Sequence, residues 1–440
     1  MTKGDLAEAL WAATATPPPA TGPLDGDLSV SVAIIGAGYT GLSTALHLAQ
    51  RGIDAVVLEA REIGYGGSGR NGGHLTPTFH FRPEFSLANL KKRLGEEKAG
   101  RLINLQTGAA DLIFGLIEKY GIDCELAKAG CIHAAHTPSM MKVLEEKYAD
   151  YQSLGRPMQL LDRAQTAALT GTDKFYGAWV YENAGHMQPL SYARGLARAA
   201  QQEGARVFTH SPVDRLERSG TTWRLTCPRG QVTADSVVIA TGAYGNALWP
   251  RLKHTYAPFS LGCAATAPLS AEMRRGVLPQ NNHLVDTRRD TFALMFDGAG
   301  RLVTAFNGSG LRGMSRRSMQ DLVARRYSWV WPQLTGAKWD YFWSGAIDLR
   351  ADLFPRLFEL APGLVTAIGF SGRGIPTGTA MGTVLADFLS GTPKEALAAP
   401  IERPSYVPPL MRLVARMMVP RFRRHDAQLM RNDGLDPPRF

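Results

Sequence analysis

The stretch from Val30 to Glu59 limits the fold of this chain more than any other. Val32, Ala33, Ile34 and Ile35 form a short apolar run that predicts a buried strand. Gly36, Gly38 and Gly41 follow in G-x-G-x-x-G spacing. The first glycine permits a tight turn, the second lets backbone approach a pyrophosphate, and the third brings helix against strand. Leu42, Ala45, Leu46 and Ala49 keep helical spacing on one face, and Ile53 to Leu58 predicts the next strand. Glu59 ends it, where a carboxylate accepts hydrogen bonds from a ribose diol and disfavours a phosphate there. A triple glycine alone is a weak signal. The strand–turn–helix–strand–acid setting makes it a dinucleotide site, without saying which dinucleotide.

At 440 residues the chain is long enough for about two domains, and 45% hydrophobic with 20% charged residues is ordinary for a soluble globular protein. No apolar run approaches the roughly 20 residues that span a bilayer. Asp5 and Glu8 argue against a signal peptide at the N-terminus. Cys124, Cys131, Cys227 and Cys263 have no C-x-x-C or metal-ligand spacing, which predicts reduced, buried thiols in a cytoplasmic protein and no metal site. The net charge is +10, and residues 401–440 hold eight Arg against four acids. No nucleic-acid reading module accompanies this charge, so a positive cleft for a small anionic substrate is the better expectation.

Residues 1–28 form a lead-in from which Leu6, Leu10 and Trp11 are expected to dock on the surface of the main domain, before Pro17–Pro19 breaks any helix. Gly64 to His74 is the second unusual stretch. Six glycines among residues 64–73 mean repeated positive φ or very close backbone approach, and Ser68, Arg70 and Asn71 add donors. Residues 85–153 predict helices with a short β segment reaching His133; His133 and His136 lack partners at ligand spacing and read as structural. Pro189 to Gly204 predicts a helix, followed by strands at 205–209, 213–218, 222–227 and 232–240 that end on Thr241-Gly242. Short antiparallel runs are expected at 260–267, 292–296 and 302–306. A second G-x-G-x-x-G at Gly308, Gly310 and Gly313 lacks a following strand and acid, so it predicts a sheet-edge turn rather than another nucleotide site. Trp339 to Arg350 is expected to lead back to the first domain. Leu364 onward predicts a strand, a glycine turn at 369–374 and a helix from about Pro376 to Leu389, whose N-terminus makes an anion site.

Three glycine turns, at 36–41, 64–74 and 369–374, thus point at one extended ligand. The last suits a centre that becomes negative during reaction, as a reduced flavin does, and this favours FAD over NAD. The sequence resembles the glycine/D-amino-acid oxidase (DAO-type) family of FAD-dependent oxidoreductases, nearest its gamma-glutamylputrescine oxidoreductase-like branch. The residues that carry the likeness are Ala33–Ala45, Glu59-Ala60, Gly67–Gly73, Val238–Gly242 and Gly369–Gly374. The resemblance implies an α/β chain with an α+β substrate domain, in the p-hydroxybenzoate-hydroxylase-like arrangement. A Rossmann-like FAD domain (29–82, 189–250 and 341–395) would be interleaved with a mixed β-sheet substrate domain (83–188 and 251–340), with a basic tail at 396–440. It also implies roles. Gly36, Gly38 and Gly41, with Thr40, would hold the pyrophosphate, and Glu59, with Ala60, the adenosine ribose. Ser68, Arg70, Asn71 and Gly73, with His74, would line pyrophosphate and flavin. Val213 would meet the adenine, and Thr241 and Gly242 the ribityl and phosphate region. Gly372, Arg373, Gly374 and Ile375 would cover the flavin's N1–O2 edge.

This chain departs from that branch at four places. It has His74 where Gln is usual, Arg373 where His is usual, and Thr291-Phe292-Ala293 where relatives carry Tyr-Tyr-Arg. Asn71 and Trp343 or Ser344 stand where covalent members place His or Cys, so FAD is expected to be non-covalent. The missing arginine suggests a moved clamp: Arg373, with Arg288 or Arg289, would bind one or two substrate carboxylates, and His74 would tune the proton state. The expected activity is oxidation of a C–N bond in an amino acid or an iminodiacetate-like secondary amine. Hydride would pass to flavin N5, the imine would hydrolyse, and O2 would become H2O2. Two alternatives stand beside it. One is a dehydrogenase passing electrons to a carrier or quinone, with Leu410, Leu413, Val414, Met417 and Met418 of the tail touching a membrane. The other is a non-catalytic flavin-binding protein. The sequence leaves the oligomeric state open.

Overall fold

The computed structural model describes residues 6–80, 85–245, 248–307 and 315–438, with the side chains of 409–418 excepted. Two large sheets organise it. Among the described residues the first has nine strands. Its parallel centre runs Arg206–Phe208, Ala55–Leu58, Leu28–Ile35, Gly230–Ile239 and Leu364–Ile368. Val32 to Ile35 and Ala55 to Leu58 are buried without alternation, as strands covered on both faces must be. The helices Tyr39–Ala49, Pro189–Gln202 and Gly374–Leu389 pack together on this sheet, through Leu42, Leu46, Leu196, Met381 and Leu385.

The second sheet has eight strands in the order Trp339–Leu349, Ala257–Thr266, Leu302–Asn307, Ala293–Phe296, His283–Asp286, Cys131–Ala134, Ala178–Tyr181 and Met158–Leu161. It is antiparallel except where His283–Asp286 meets Cys131–Ala134. The α/β class with a second, mixed sheet is therefore what the sequence predicts.

Several boundaries differ from expectation. Trp339–Leu349 is not a return path: it pairs along its length with Ala257–Thr266, so residues 341–349 belong to the eight-stranded sheet. The short strand His283–Asp286 has no counterpart among the expected strands. Helices Leu87–Leu94, Glu96–Thr107 and Ala109–Tyr120 bury Leu90, Ile103 and Ile113 in the core of the nucleotide-side helices. Ile401–Glu402 adds a strand beside Arg356–Ala361, so the nine-stranded sheet reaches into the tail. The lead-in does not rest on the surface. Leu6, Leu10 and Trp11 are buried against Leu190, Cys263 and Trp343. Gly308, Gly310 and Gly313 lie outside the described residues, as do the side chains of Leu410, Leu413, Val414, Met417 and Met418. The helix Pro409–Asn432 folds back on its own chain, with Val419 and Phe422 against Ala257 and Phe259. No helix among the described residues is long and apolar enough to cross a membrane.

Candidate active site

The three glycine turns and the second sheet enclose one cavity of about 910 Å³. At the first turn Gly36 has φ +111°, and a Cβ there would lie 2.9 Å from the Ala240 carbonyl oxygen. A Cβ on Gly41 would lie 2.0 Å from the Gly36 carbonyl oxygen, so the helix meets the strand only through glycine. Glu59 closes this turn: Oε2 accepts from Ala37 N–H (2.8 Å) and Oε1 from Arg61 N–H (2.9 Å). Burial nevertheless pushes its carboxyl upward. Ser68 Oγ accepts from Tyr39 N–H (3.1 Å), joining the second glycine turn to the first turn of the helix.

Asn71 holds the second turn together. Its Nδ2 donates to the Ser68 carbonyl (2.8 Å) and to Tyr39 Oη (3.0 Å), while Oδ1 accepts from Gly73 N–H (2.9 Å). Trp11 Nε1 donates to the Asn71 carbonyl (2.7 Å), and Trp343 Nε1 to the Arg70 carbonyl (3.0 Å). The two indoles meet edge to face at 5.8 Å. Arg70 lies over the Tyr65 ring and donates to the Tyr65 carbonyl (2.9 Å).

The third turn is held from the other sheet. Asp348 Oδ2 accepts from Gly369 N–H at 2.6 Å, and the Phe370 and Ser371 amides also hydrogen-bond its carboxylate. Burial outweighs these donors and raises the Asp348 carboxyl to about 6. The helix Gly374–Leu389 starts here. An added Cβ at Gly374 meets nothing within 4 Å, and one at Gly372 meets only Ile347 at 3.9 Å. The positive end of a sixteen-residue helix therefore borders open cavity.

Of the residues expected to hold cofactor, Gly36, Gly38, Thr40, Glu59, Ala60, Ser68, Arg70, Asn71, His74, Val213, Thr241, Gly242, Gly372, Arg373 and Gly374 line this cavity. Gly41, Gly73 and Ile375 do not. Gly41 serves helix packing. Gly73 (φ +77°) serves close approach to the Met187 carbonyl, 2.5 Å from its would-be Cβ. Ile375 is buried in the helical core.

The four candidate catalytic residues separate sharply. Arg373 lines the cavity, and its guanidinium has no hydrogen-bond or carboxylate partner among the described residues; Nε is buried without one. The groups nearest it electrostatically are neutral: Cys131, Tyr151, His133, His74 and His283. Burial pushes the Arg373 guanidinium downward from its ordinary value, with no carboxylate among the described residues to hold it up. Arg288 is not a free clamp, because its guanidinium forms a buried ion pair with Asp286. Arg289 lines the cavity, its N–H donating to Asp426 Oδ1 (3.0 Å) and its carbonyl accepting from Asn307 Nδ2 (3.1 Å). His74 is buried beside His283 (5.1 Å between rings), and desolvation lowers it to about 3. It is a neutral imidazole at physiological pH and too weak a base to accept a proton there. His133 and His136 are likewise buried and neutral, and no metal-holding cluster exists among the described residues.

Over residues 31–388 the chain matches the FAD dependent oxidoreductase (DAO) family. It belongs to that family. It is 31% identical to gamma-glutamylputrescine oxidoreductase of Escherichia coli over 377 residues, which is 84% of this chain and 85% of that protein. The glycine oxidase structure of Geobacillus kaustophilus superposes with a TM-score of 0.69 at 23% identity, covering 84% of this chain and 96% of that one. An iminodiacetate oxidase from Chelativorans superposes at 0.65 and 18%, covering 85% and 100%. The chain is thus an FAD-dependent oxidoreductase of the DAO fold.

The observed site fits FAD. The first turn is narrowed to backbone by glycine, Glu59 caps it, and the far turn offers an uncrowded helix N-terminus. Sequence reasoning missed Asp348, Tyr244 and Asp426, and it placed Trp343 only where covalent members attach flavin. Tyr244 Oη accepts from Ala346 N–H (2.9 Å), tying the first sheet's turn to the second sheet. Asp348, Tyr244 and Asp426 carried no usable signal in the sequence.

Proposed function

We propose that this DAO-family enzyme oxidises the C–N bond of an amino acid or secondary amine bearing a carboxylate, of the iminodiacetate or N-substituted glycine class. The observation that carries the reading is Arg373, a cavity-lining guanidinium without an anion among the described residues. A buried charge is tolerated when a partner completes it, and a ligand carboxylate matches the guanidinium fork in two parallel hydrogen bonds.

FAD, when bound, supplies the two-electron acceptor that amine oxidation requires. The chain's own residues do the rest. Arg373 holds the carboxylate and so fixes the neighbouring carbon. Asp348 holds the turn from which Arg373 projects. A positive guanidinium and neutral imidazoles disfavour an ammonium at the reacting nitrogen, so the amine is held in its neutral, oxidisable form. No side chain is needed as base, which agrees with the low basicity of His74. For an iminodiacetate-like substrate, substrate, O2 and water give glyoxylate, glycine and H2O2, with O2 as terminal acceptor.

An anaerobic titration tests this. Loss of the visible flavin band on adding iminodiacetate or an N-substituted glycine, and its return with peroxide in air, is expected. Bleaching by carboxylate-free amines alone refutes the Arg373 assignment, and return of colour only with an added carrier refutes the oxidase assignment.

A further inference from the structure

A second cavity, of about 330 Å³, lies behind the Gly64–His74 turn. The strand Ala293–Phe296 runs past both cavities. Ala293 lines the FAD cavity, and Met295, two residues on and on the same face of the strand, lines the second. Gly73 stands between them, and its neighbours Gly72 and His74 line the FAD cavity. A Cβ on Gly73 would lie 3.0 Å from Met295 Sδ and Cε, so the wall here is one stretch of backbone and one thioether side chain. At this inner end Met187 and Met295 are buried, whereas Glu125, Asn281 and Gly298 at the other end are exposed, so the cavity runs from solvent to the wall. Its charged groups are already spent. Glu125 Oε2 accepts from Gly298 N–H (2.9 Å), and Asp297 accepts from Ala299 N–H (3.0 Å), Arg301 N–H (2.8 Å) and the Arg301 guanidinium (3.1 Å). His186, which burial keeps neutral, donates through Nε2 to the Asn281 carbonyl (2.8 Å). What remains among the described lining residues is the apolar surface of Leu126, Met187, Met295 and Phe296.

We propose that the second cavity is the access path of O2 to the flavin, with Met295 as the side chain that gates it. A small apolar gas partitions into an apolar cavity, where a charged amine would lose its hydration without recompense. Methionine is unbranched, with three rotatable bonds, so Met295 can swing aside without breaking a hydrogen bond. Amine and O2 would then arrive by separate cavities. The path rests on the oxidase part of the function proposed above, and it leaves that reaction's balance as written: O2 departs as H2O2, carrying the two electrons and two protons that the amine gives up.

The test uses the FAD-loaded full-length protein, with the flavin reduced anaerobically by light and EDTA so that no amine substrate is involved. Stopped-flow absorbance then follows reoxidation by O2 and, separately, by dichlorophenolindophenol, a dye too bulky to pass a single-side-chain gate. Met295→Phe fills the inner end of the cavity. Leu126→Trp fills it from a half-buried position beside Glu125, away from the Gly64–His74 turn. Pushing aside an added ring resembles overpacking, so in each variant the O2 rate should fall about tenfold while the dye rate stays within about twofold. A distorted flavin loop would slow both oxidants alike. Wild-type crystals pressurised with xenon should also hold an atom against Met187 and Met295, and Leu126→Trp crystals should not. Should one variant fail to fold, the other carries the same expectation. An unchanged O2 rate in a folded variant, equal loss with O2 and dye, or a second cavity of wild type without xenon overturns the path alone. Wild-type reduced flavin that O2 does not reoxidise overturns the oxidase reading, and the path with it.

Discussion

Arg288, buried, and Arg373, half-buried, are two cavity arginines with opposite surroundings, and replacing each by Met should give opposite results. Arg288 is paired with Asp286, so Arg288→Met leaves a buried carboxylate without its counter-charge and should cost about 3–5 kcal/mol of stability. Arg373 has no such partner among the described residues. Arg373→Met orphans nothing and relieves a desolvated guanidinium, so stability should be unchanged or higher. Ligand affinity should move the other way. Losing a charge-assisted bidentate pair costs about 2–5 kcal/mol, and the middle of that range is roughly a hundredfold or more in Kd. Calorimetric unfolding of the FAD-loaded variants, with butyrate titrated into each, measures both quantities. Butyrate bound by Arg373→Met as tightly as by wild type refutes the clamp. So does destabilisation of Arg373→Met comparable to that of Arg288→Met, since it would show that the protein itself neutralises this charge.

Three further expectations follow from the site's construction. Gly41→Ala must displace the Gly36 carbonyl, 2.0 Å from the new Cβ, and should cost about 3 kcal/mol or more with loss of bound FAD, read as flavin absorbance per chain after gel filtration. Trp11→Ala removes a wholly buried indole and its bond to the Asn71 carbonyl; thermal unfolding should fall by about 3–5 kcal/mol and FAD affinity should fall with it. Asp348 has a folded value of about 6 against 3.8, so its contribution is fully present below 3.8 and lost as pH rises through 6. The stability of wild type relative to Asp348→Asn should therefore improve as pH falls from about 6 to 4 in denaturant titrations, and a difference constant across that window would remove the assigned shift.

What was legible in the sequence acts through nearby backbone. Gly36, Gly38 and Glu59 sit within one βαβ unit, and their spacing alone dictates the turn, the open amides and the cap. Asn71 was legible as a cofactor-loop residue, although its side chain chiefly ties that loop to itself. What was not legible acts at long range. Asp348 and Gly369 are 21 residues apart, and Asp426 and Arg289 are 137 apart. No periodicity joins them. Trp339–Leu349 reads as a connection in the sequence, yet Tyr341, Phe342 and Trp343 are strand formers and the strand is eleven residues long. Arg288 shows the limit most plainly. Its partner Asp286 is two residues away, but whether that pair closes depends on both groups being buried at the same sheet edge.

The charges around the cavity decide what kind of amine it suits. Among the described residues that line it, the carboxylates are Glu59, Asp286 and Asp348. Glu59 is taken by the amides of Ala37 and Arg61, Asp348 by those of the 369–371 turn, and Asp286 by Arg288. Each is also pushed upward by burial, which weakens it further as a partner for a cation. His74 is neutral. Under the proposed function, a polyamine ammonium would therefore lose its hydration and find no disengaged carboxylate among the described lining residues, at a cost of several kcal/mol. Under the same proposal, an anionic amine gains the Arg373 guanidinium, which has no carboxylate partner among the described residues. Arg373, where the resemblance leads one to expect His, at the start of the helix Gly374–Leu389, thus does more than add a contact. Under the proposed function it gives the site a positive sign, since the acids among the described lining residues are already engaged.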